Sequence, residues 1–105
     1  MYMQVVTFHL KDLPEDAYRR VCEDIAPAIA EVPGLISKVF LANATTNTYG
    51  GVYTWQDRGA MEAFKSSEIF RGLGSNPSLV DVRSEEFGVL AEATRLARGL
   101  ATAAA

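Results

Sequence analysis

The order of strand and helix patterns is the feature that most constrains this chain. Helical patterns follow the first and the third of four strand-like runs, so the elements are ordered βαββαβ. The four runs, rich in apolar, branched and aromatic residues, are 3–9, 35–42, 48–57 and 79–90. This order is typical of the ferredoxin-like α+β fold, in which two helices cover one face of a four-stranded antiparallel sheet. We therefore predict that fold.

The helical patterns carry their own start and stop signals. Apolar residues recur at three- and four-residue spacing between 18 and 32, and Pro27 within this stripe predicts a kink in one helix rather than two helices. Asp57 is a candidate N-cap for the second helix, and the Ser66-Ser67 pair predicts that this helix restarts as a short turn. In the last strand the apolar parity changes, which predicts a bulge near Ser84 to Glu86.

Length and composition favour one domain. The chain has 105 residues, so we assign residues 1–105 to a single domain, with a core of 1–90 and an Ala-rich C-terminal extension of 91–105. The formal net charge is -3, and no basic cluster is present to hold a phosphate backbone, so no nucleic-acid partner is expected. No run approaches a membrane span, which predicts a cytoplasmic protein without a membrane partner. The lone Cys22 is interpreted as a packing residue.

The strands are apolar on both faces, although two helices can cover only one of them. In the strand patterns, Val5 and Val39 lie on one parity, and Val6 and Phe40 on the other. A bare second face would expose more contiguous apolar surface than monomers usually carry. A two-fold homodimer with the sheets face to face would cover it, giving a dimeric α/β barrel.

The segment TYGGVYTW, residues 48–55, places three aromatic side chains on the face that it shares with Gly51. Such a face can meet a planar ligand, a base or the protein's own core. The order βαββαβ also describes RNA-recognition domains, but Gly51 and Thr54 stand where that motif has aromatic residues, and no Lys or Arg precedes the run. RNA binding is therefore not expected. Gly50 and Gly51 predict a bulge or a close approach beside the aromatic side chains.

Three segments carry a family resemblance: PGLISKVFLANATTNTYGGVYTW, QDRGAMEAF and EEFGVLAEATRLARG. Together they resemble the YdhR-type monooxygenases of the dimeric α/β-barrel superfamily, which includes the antibiotic-biosynthesis monooxygenases. The resemblance covers nearly the whole chain, and its most specific parts are PGL-x-x-KV-x and GG-x-Y followed by Trp55. It implies the same homodimeric fold.

For function, the resemblance implies a monooxygenase that uses no cofactor. Related antibiotic monooxygenases oxidise phenolic or anthrone-like molecules with O2, because the deprotonated substrate can itself reduce oxygen. Such a protein needs a proton acceptor, donors that stabilise an anion, and a dry, flat cavity. The sequence has no GxGxxG, P-loop, CxxC or HExxH motif, so neither a cofactor nor a metal is expected. The expected partners are a small aromatic or quinol-like substrate and O2.

Two other classes of function stay open. One is a non-catalytic small-ligand-binding or stress-related barrel, and the other is an isomerase or cyclase that uses the same cavity without oxygen. Haem degradation is also known in the superfamily, but the axial histidine of those enzymes lies on the second helix, where this chain reads AMEAFKSSEIF. Haem chemistry is therefore not expected.

Candidate site residues follow from residue type and position. His9 is the one histidine of the chain and a candidate base, although a histidine at the end of a strand is more often a surface or interface residue. Trp55, the second candidate catalytic residue, can be core or a stacking wall with an indole N–H donor. The candidate substrate-binding residues, which sequence cannot separate from core or interface residues, are Tyr49, Tyr53, Phe40, Phe64 and Phe70.

Overall fold

The computed structural model describes residues 1–99. These residues form four strands and four helices. In chain order the elements are β1 (Tyr2–Leu10), α1 (Glu15–Ala30), β2 (Leu35–Asn43), β3 (Thr48–Trp55), α2 (Arg58–Lys65), α3 (Glu68–Ser75), β4 (Leu79–Gly88) and α4 (Ala91–Leu96). The predicted βαββαβ order is confirmed, with the second helix divided into α2 and α3.

The four strands form one antiparallel sheet in the order β2-β3-β1-β4. Val52 of β3 pairs with Val5 of β1 and with Val39 of β2. The two central strands are therefore β1 and β3, and the ferredoxin-like prediction is confirmed. Because β3 is central, its aromatic side chains lie in the middle of the sheet, where both neighbouring strands can reach them.

Local capping explains why the second helical region forms two helices. Asp57 Oδ1 accepts a hydrogen bond of 2.8 Å from the backbone N–H of Ala60 at the start of α2. Ser67 Oγ accepts one of 3.3 Å from the N–H of Phe70 at the start of α3. The predicted cap and the predicted restart at the serine pair are both confirmed. Pro27 lies inside α1, which is a single helix as expected.

The predicted position of the bulge in β4 is wrong. Ser84 to Glu86 pair regularly with β1, and the register shifts instead between Thr7 and His9, whose partners in β4 are three residues apart. Asp81 lies in this interval with φ of +56°, a left-handed conformation that Asp tolerates better than branched residues do. The sequence pattern placed Val80 and Val82 on one face, whereas the bulge at Asp81 lets Val82 pack against the core together with Leu79.

The core lies between the sheet and the helices. Alternate residues of β1 and β3 point to this side, where they pack against buried side chains of α1 and α2. The buried apolar residues of the sheet are Val6, Phe8, Tyr49, Tyr53, Trp55 and Leu79, and those of the helices are Tyr18, Ile29, Met61 and Phe64. This packing holds the aromatic side chains of β1 and β3 in position on the side of the sheet that faces the helices.

The opposite face of the sheet is also apolar, as predicted. Val5, Val52 and Val39 are neighbours across three strands, and Val39 is 55% exposed. Phe87 of β4, which pairs with Met3, is 51% exposed. The apolar second face is therefore confirmed, and the homodimer that would cover it stays a prediction.

The C-terminal extension begins with a helix that the sequence did not predict, α4, and residues 100–105 of the predicted extension lie outside the described residues. Alanine-rich segments favour helices, and Glu92 and Arg95 form an ion pair one turn apart in α4. Among the helices formed by residues 1–99, none is long and apolar enough to cross a membrane.

Candidate active site

A cavity of about 310 Å³ lies between the sheet and helices α1 and α3. Its walls are mainly apolar and aromatic side chains, with two glycines of β3 on the sheet side. The apolar lining consists of Val6, Phe8, Tyr18, Val21, Ile25, Ile29, Phe40, Tyr53, Ile69, Leu73 and Leu79. The volume is near the lower end of small-molecule sites, so the cavity fits a compact ligand of one to three rings.

Lys38 brings a cation into this apolar cavity. It lies on β2 opposite Tyr53, and its Nζ is 4.0 Å from the centre of the Tyr53 ring and 4.1 Å from the centre of the Phe40 ring. An ammonium at these distances is attracted to the ring faces. None of the ion pairs within residues 1–99 includes Lys38. The amine therefore has aromatic rings, not a carboxylate, as its neighbours.

Burial lowers the pKa of Lys38 to about 8. The physical cause is that an apolar surrounding disfavours the charged form of an amine, a cost that the nearby Cys22 thiol offsets only in part. A lysine with this pKa exists as both ammonium and free amine close to neutral pH. It can therefore accept a proton as well as stabilise an anion, which an ordinary surface lysine does poorly.

Gly51 leaves the room that the Lys38 side chain occupies. A Cβ built on Gly51 would lie 2.3 Å from Lys38 Cε and 2.9 Å from the backbone oxygen of Val39. Gly50 is equally constrained, because its φ is +147° and a Cβ there would lie 1.8 Å from the backbone oxygen of Val6. The predicted close approach at the glycine pair is confirmed, and it is a lysine side chain that approaches Gly51.

Two tyrosines of the cavity keep their hydroxyl protons. Burial raises the pKa of Tyr53 to about 12. Burial, together with a hydrogen bond to Cys22, also raises the pKa of Tyr18 far above its usual range. Both phenols are therefore neutral hydrogen-bond donors at physiological pH. They stand on opposite walls of the cavity, Tyr18 on α1 and Tyr53 on β3.

The structure brings some of the sequence-predicted binding residues to the cavity. Phe40 and Tyr53 line it directly. Phe64 is buried behind Tyr53, with ring centres 4.9 Å apart, and Phe70 packs on Phe64 at 5.5 Å. Tyr49 lies outside the lining, and its hydroxyl donates a hydrogen bond of 2.6 Å to Glu15 Oε1. Phe64, Phe70 and Tyr49 thus support the walls and do not form them.

Trp55 lies in the core and not on the cavity wall. Its ring stacks on Tyr53 at 5.7 Å, and its indole Nε1–H donates a hydrogen bond of 3.1 Å to Gln4 Oε1. Gln4 is also fully buried and donates from Nε2 to Ser84 Oγ. The indole N–H, a candidate donor to substrate, therefore already has a partner inside the protein.

His9 lies away from the cavity. It shares its parity in β1 with Thr7 and Val5, on the sheet face that the helices leave open. There it borders a hollow together with Thr7, Thr48, Asp81 and Arg83. The histidine is thus not brought together with Phe40, Tyr53 and Lys38, and its predicted role as a base stays a prediction.

Sequence reasoning missed Lys38 and Gln4. Lys38 shares its parity in β2 with Phe40, and Gly51 lies directly opposite Phe40 in the neighbouring strand. A lysine that alternates with apolar residues on the core-facing side of a strand, beside a glycine of the next strand, could have indicated that its side chain enters the cavity. Gln4 is a polar residue on the core-facing side of β1, which could have indicated that it forms a hydrogen bond with another buried residue, here Trp55.

One protein-family model matches nearly the whole chain. The family model described as "Putative mono-oxygenase ydhR" matches residues 3–100. The chain belongs to this family. No curated protein matches it. Membership in the YdhR family confirms the resemblance found in the sequence.

Solved structures share the fold of this YdhR-family chain. SnoaB, a cofactor-independent oxygenase from Streptomyces nogalater, is 19% identical with a TM-score of 0.67, over 85% of this chain and 92% of SnoaB. A "putative antibiotic biosynthesis monooxygenase" from Deinococcus radiodurans is 15% identical with a TM-score of 0.66, over 85% of this chain and 92% of that chain. At these identities the likeness shows the fold alone.

The heme-degrader MhuD from Mycobacterium tuberculosis, with two hemes bound in its active site, shares the fold too. It is 18% identical with a TM-score of 0.60, over 86% of this chain and 96% of MhuD. In the YdhR-family chain, His9 lies outside the cavity and offers no imidazole to an iron there. Residues 1–99 also contain no group of three or more His, Cys, Asp or Glu side chains arranged to hold a metal ion. The residues of this cavity therefore do not fit a histidine-ligated haem.

Proposed function

We propose that this protein is a cofactor-independent monooxygenase that oxidises an aromatic or quinol-like small molecule with O2 in the cavity between sheet and helices. Membership in the YdhR family and the fold shared with SnoaB support the reaction class. The observation that carries the proposal is the cavity itself, an apolar space with the faces of Phe40 and Tyr53 on one wall. We place the enzyme in the cytoplasm as a homodimer, as its composition and its apolar sheet face predict.

The chemistry needs no metal or cofactor beside the substrate, O2 and a base of the protein. An anthrone-type substrate passes a proton from its ring CH2 to a base and becomes an electron-rich enolate, which can pass electrons to O2; the base later returns this proton to the oxygen atom that leaves. The CH2 carbon then loses both hydrogens, one oxygen atom becomes the new carbonyl, and the other leaves as water. A dry cavity favours this reaction because it protects the anion from bulk water and strengthens every polar contact made to it.

The residues of the cavity have separate tasks in this reaction. The ring of Tyr53 and the ring of Phe40 hold the flat substrate, and the Tyr53 hydroxyl, which stays protonated, can donate a hydrogen bond to the enolate oxygen. Phe64 and Phe70 keep Tyr53 in place from behind. The roles of His9 as base and of Trp55 as donor are hypotheses that substitution of each residue tests.

Oxygen uptake with anthrone tests the proposal. We expect the dialysed protein to consume equal amounts of O2 and anthrone and to form anthraquinone, with no loss of rate when a metal chelator is added. The O-methylated enol of anthrone, which cannot ionise, is the control and should consume no oxygen. An uptake that never exceeds the spontaneous rate would refute the monooxygenase proposal, and a rate abolished by the chelator would refute its cofactor-independent part.

The same experiment separates the alternatives. His9→Ala and Trp55→Phe should keep the anthrone rate if neither residue contacts the substrate, and a loss of turnover in a folded variant would restore the role predicted from the sequence. A non-catalytic barrel would bind the planar phenol and take up no oxygen. An isomerase or cyclase would change a substrate under nitrogen as fast as in air.

A further inference from the structure

We infer that Lys38 Nζ accepts the proton of an ionisable hydroxyl on the bound molecule and then holds the resulting anion, so that the cavity selects flat phenols and enols that carry one such hydroxyl. This assignment rests on the proposed function for the cavity being the substrate site, and it adds the substrate class and the group that recognises it. In the proton transfer the O–H bond of the ligand breaks and an N–H bond forms on Lys38. The products are an ammonium and a phenolate or enolate.

The position of Lys38 carries the inference. Its Nζ lies over the Tyr53 and Phe40 rings, at 4.0 and 4.1 Å, and the same two rings line the cavity. A planar ligand that packs against these rings therefore comes within reach of the amine. Because Lys38 has no carboxylate partner among residues 1–99, an anionic ligand would bind its ammonium more strongly than the aromatic rings around it do.

Three of the other four ionisable groups of the cavity do not compete for this role. Those that face it are Tyr18 and Cys22 on α1, Tyr53 on β3 and Glu68 on α3. Burial raises the pKa of Tyr18 and the pKa of Tyr53, so both keep their protons and act as hydrogen-bond donors and not as bases. Glu68 is exposed at the N-terminal end of α3 and forms no ion pair with Lys38 among the described residues.

The burial of Lys38 supports the same role. Its pKa of about 8 is close to the pKa range of activated phenols, so proton transfer between the two costs little free energy. Once the proton has moved, the ammonium and the phenolate form a charge-assisted hydrogen bond in a medium of low dielectric constant. Ligands that cannot ionise gain only the apolar contacts.

The test uses para-nitrophenol, whose phenolate is yellow, and para-nitroanisole, its methyl ether of nearly the same shape. The wild-type protein should bind the phenol as phenolate, with the apparent pKa of the bound phenol lowered. In Lys38→Met, which keeps an unbranched apolar side chain, phenol binding should weaken by about tenfold or more, while the affinity for the ether stays unchanged. Lys11→Met, which removes an exposed lysine outside the cavity, should bind both probes like wild type.

Equal phenol affinity in wild type and Lys38→Met would overturn the inference, and so would an ether that binds wild type as tightly as the phenol does. Circular dichroism of each variant verifies that it is folded, and Lys38→Gln provides a second uncharged variant. The binding experiment needs no oxygen. Phenolate capture without anthrone oxidation would therefore refute the proposed function and leave the role of Lys38 intact.

Discussion

Lys38 occupies the space that any side chain at Gly51 would need, since a Cβ on Gly51 would lie 2.3 Å from Lys38 Cε. The two residues are on neighbouring strands, β2 and β3. This contact fixes where the lysine amine can go: across the sheet surface and over the Tyr53 ring, into the cavity. Gly51 thus leaves the space in which Lys38 brings its amine into a mainly apolar cavity.

Gly51→Ala should displace the lysine from the cavity. The new methyl group overlaps the Lys38 side chain and approaches the oxygen of Val39, so we expect kcat/KM for anthrone to fall about tenfold to hundredfold. Gly74→Ala is the matched control, because a Cβ at Gly74 meets nothing within 4 Å, and it should leave kcat/KM unchanged. Measured by urea denaturation, the stability cost of Gly51→Ala should shrink in a Lys38→Ala background. An equal cost in both backgrounds would contradict the contact.

Removing the amine should stabilise the protein in a pH-dependent way. The folded pKa of Lys38, about 8, is below the ordinary value of 10.5, so the folded state binds fewer protons than the unfolded state between these pH values. The penalty for burying the charge is complete below pH 8 and vanishes above pH 10.5. Lys38→Met should therefore raise the free energy of unfolding by roughly 1–3 kcal/mol below pH 8, less as pH rises.

Urea denaturation of wild type and Lys38→Met across this pH range measures the difference. Lys11→Met is the control for the loss of one positive charge and should show no such trend. If Lys38→Met instead destabilised the protein by the same amount at every pH, burial of the ammonium would not lower the free energy of unfolding, and the prediction would be wrong.

Trp55→Phe should affect stability more than activity. The substitution removes the N–H that bonds Gln4 Oε1 and leaves that buried oxygen without its donor, which costs about 1–3 kcal/mol. Because Trp55 does not line the cavity, the affinity for a planar phenol should stay unchanged. Gln4→Leu and the double variant complete a thermodynamic cycle, in which a favourable coupling energy is expected. A folded Trp55→Phe with lost turnover and no loss of stability would support the catalytic role predicted from the sequence.

The exposed apolar face of the sheet predicts that two copies of the chain form a homodimer through this face. Val39 is 55% exposed in line with Val52 and Val5, so Val39→Asp should place a charge in the centre of the proposed dimer interface and leave the fold intact. Sedimentation velocity should give a dimer for wild type and a monomer for Val39→Asp. Leu90→Asp, at an exposed leucine outside the sheet, should remain a dimer. A monomeric wild type would contradict the proposal of a sheet-to-sheet dimer.

Much of the fold was predictable because local chemistry determines it. Asp57 and Ser67 cap helices through residues three positions away, so the sequence alone identifies both starts. The bulge at Asp81 was not located, because the alternation of Val80 and Val82 suggested one continuous face there, and only the pairing with β1 shows that the strand changes face between them.

The site was only partly predictable, because its contacts join residues that are distant in sequence. The parity of β3 placed Tyr53 on the helix side of the sheet, and Tyr53 and Phe40 of β2 line the cavity there, while their role in substrate binding stays a prediction. Lys38 was missed because its direction depends on the register of β2 with β3. The partner of Trp55 was missed for the same reason, since Gln4 lies 51 residues away on β1.

The most direct test of the account is a crystal structure of the protein with a planar phenol that does not react with oxygen, such as hydroxyanthraquinone. We predict one molecule in the cavity between the sheet and helices α1 and α3, with its rings against Phe40 and Tyr53 and its oxygen in hydrogen-bond contact with Lys38 Nζ. A ligand bound on the open sheet face beside His9, or a saturating ligand that leaves the cavity empty, would contradict it.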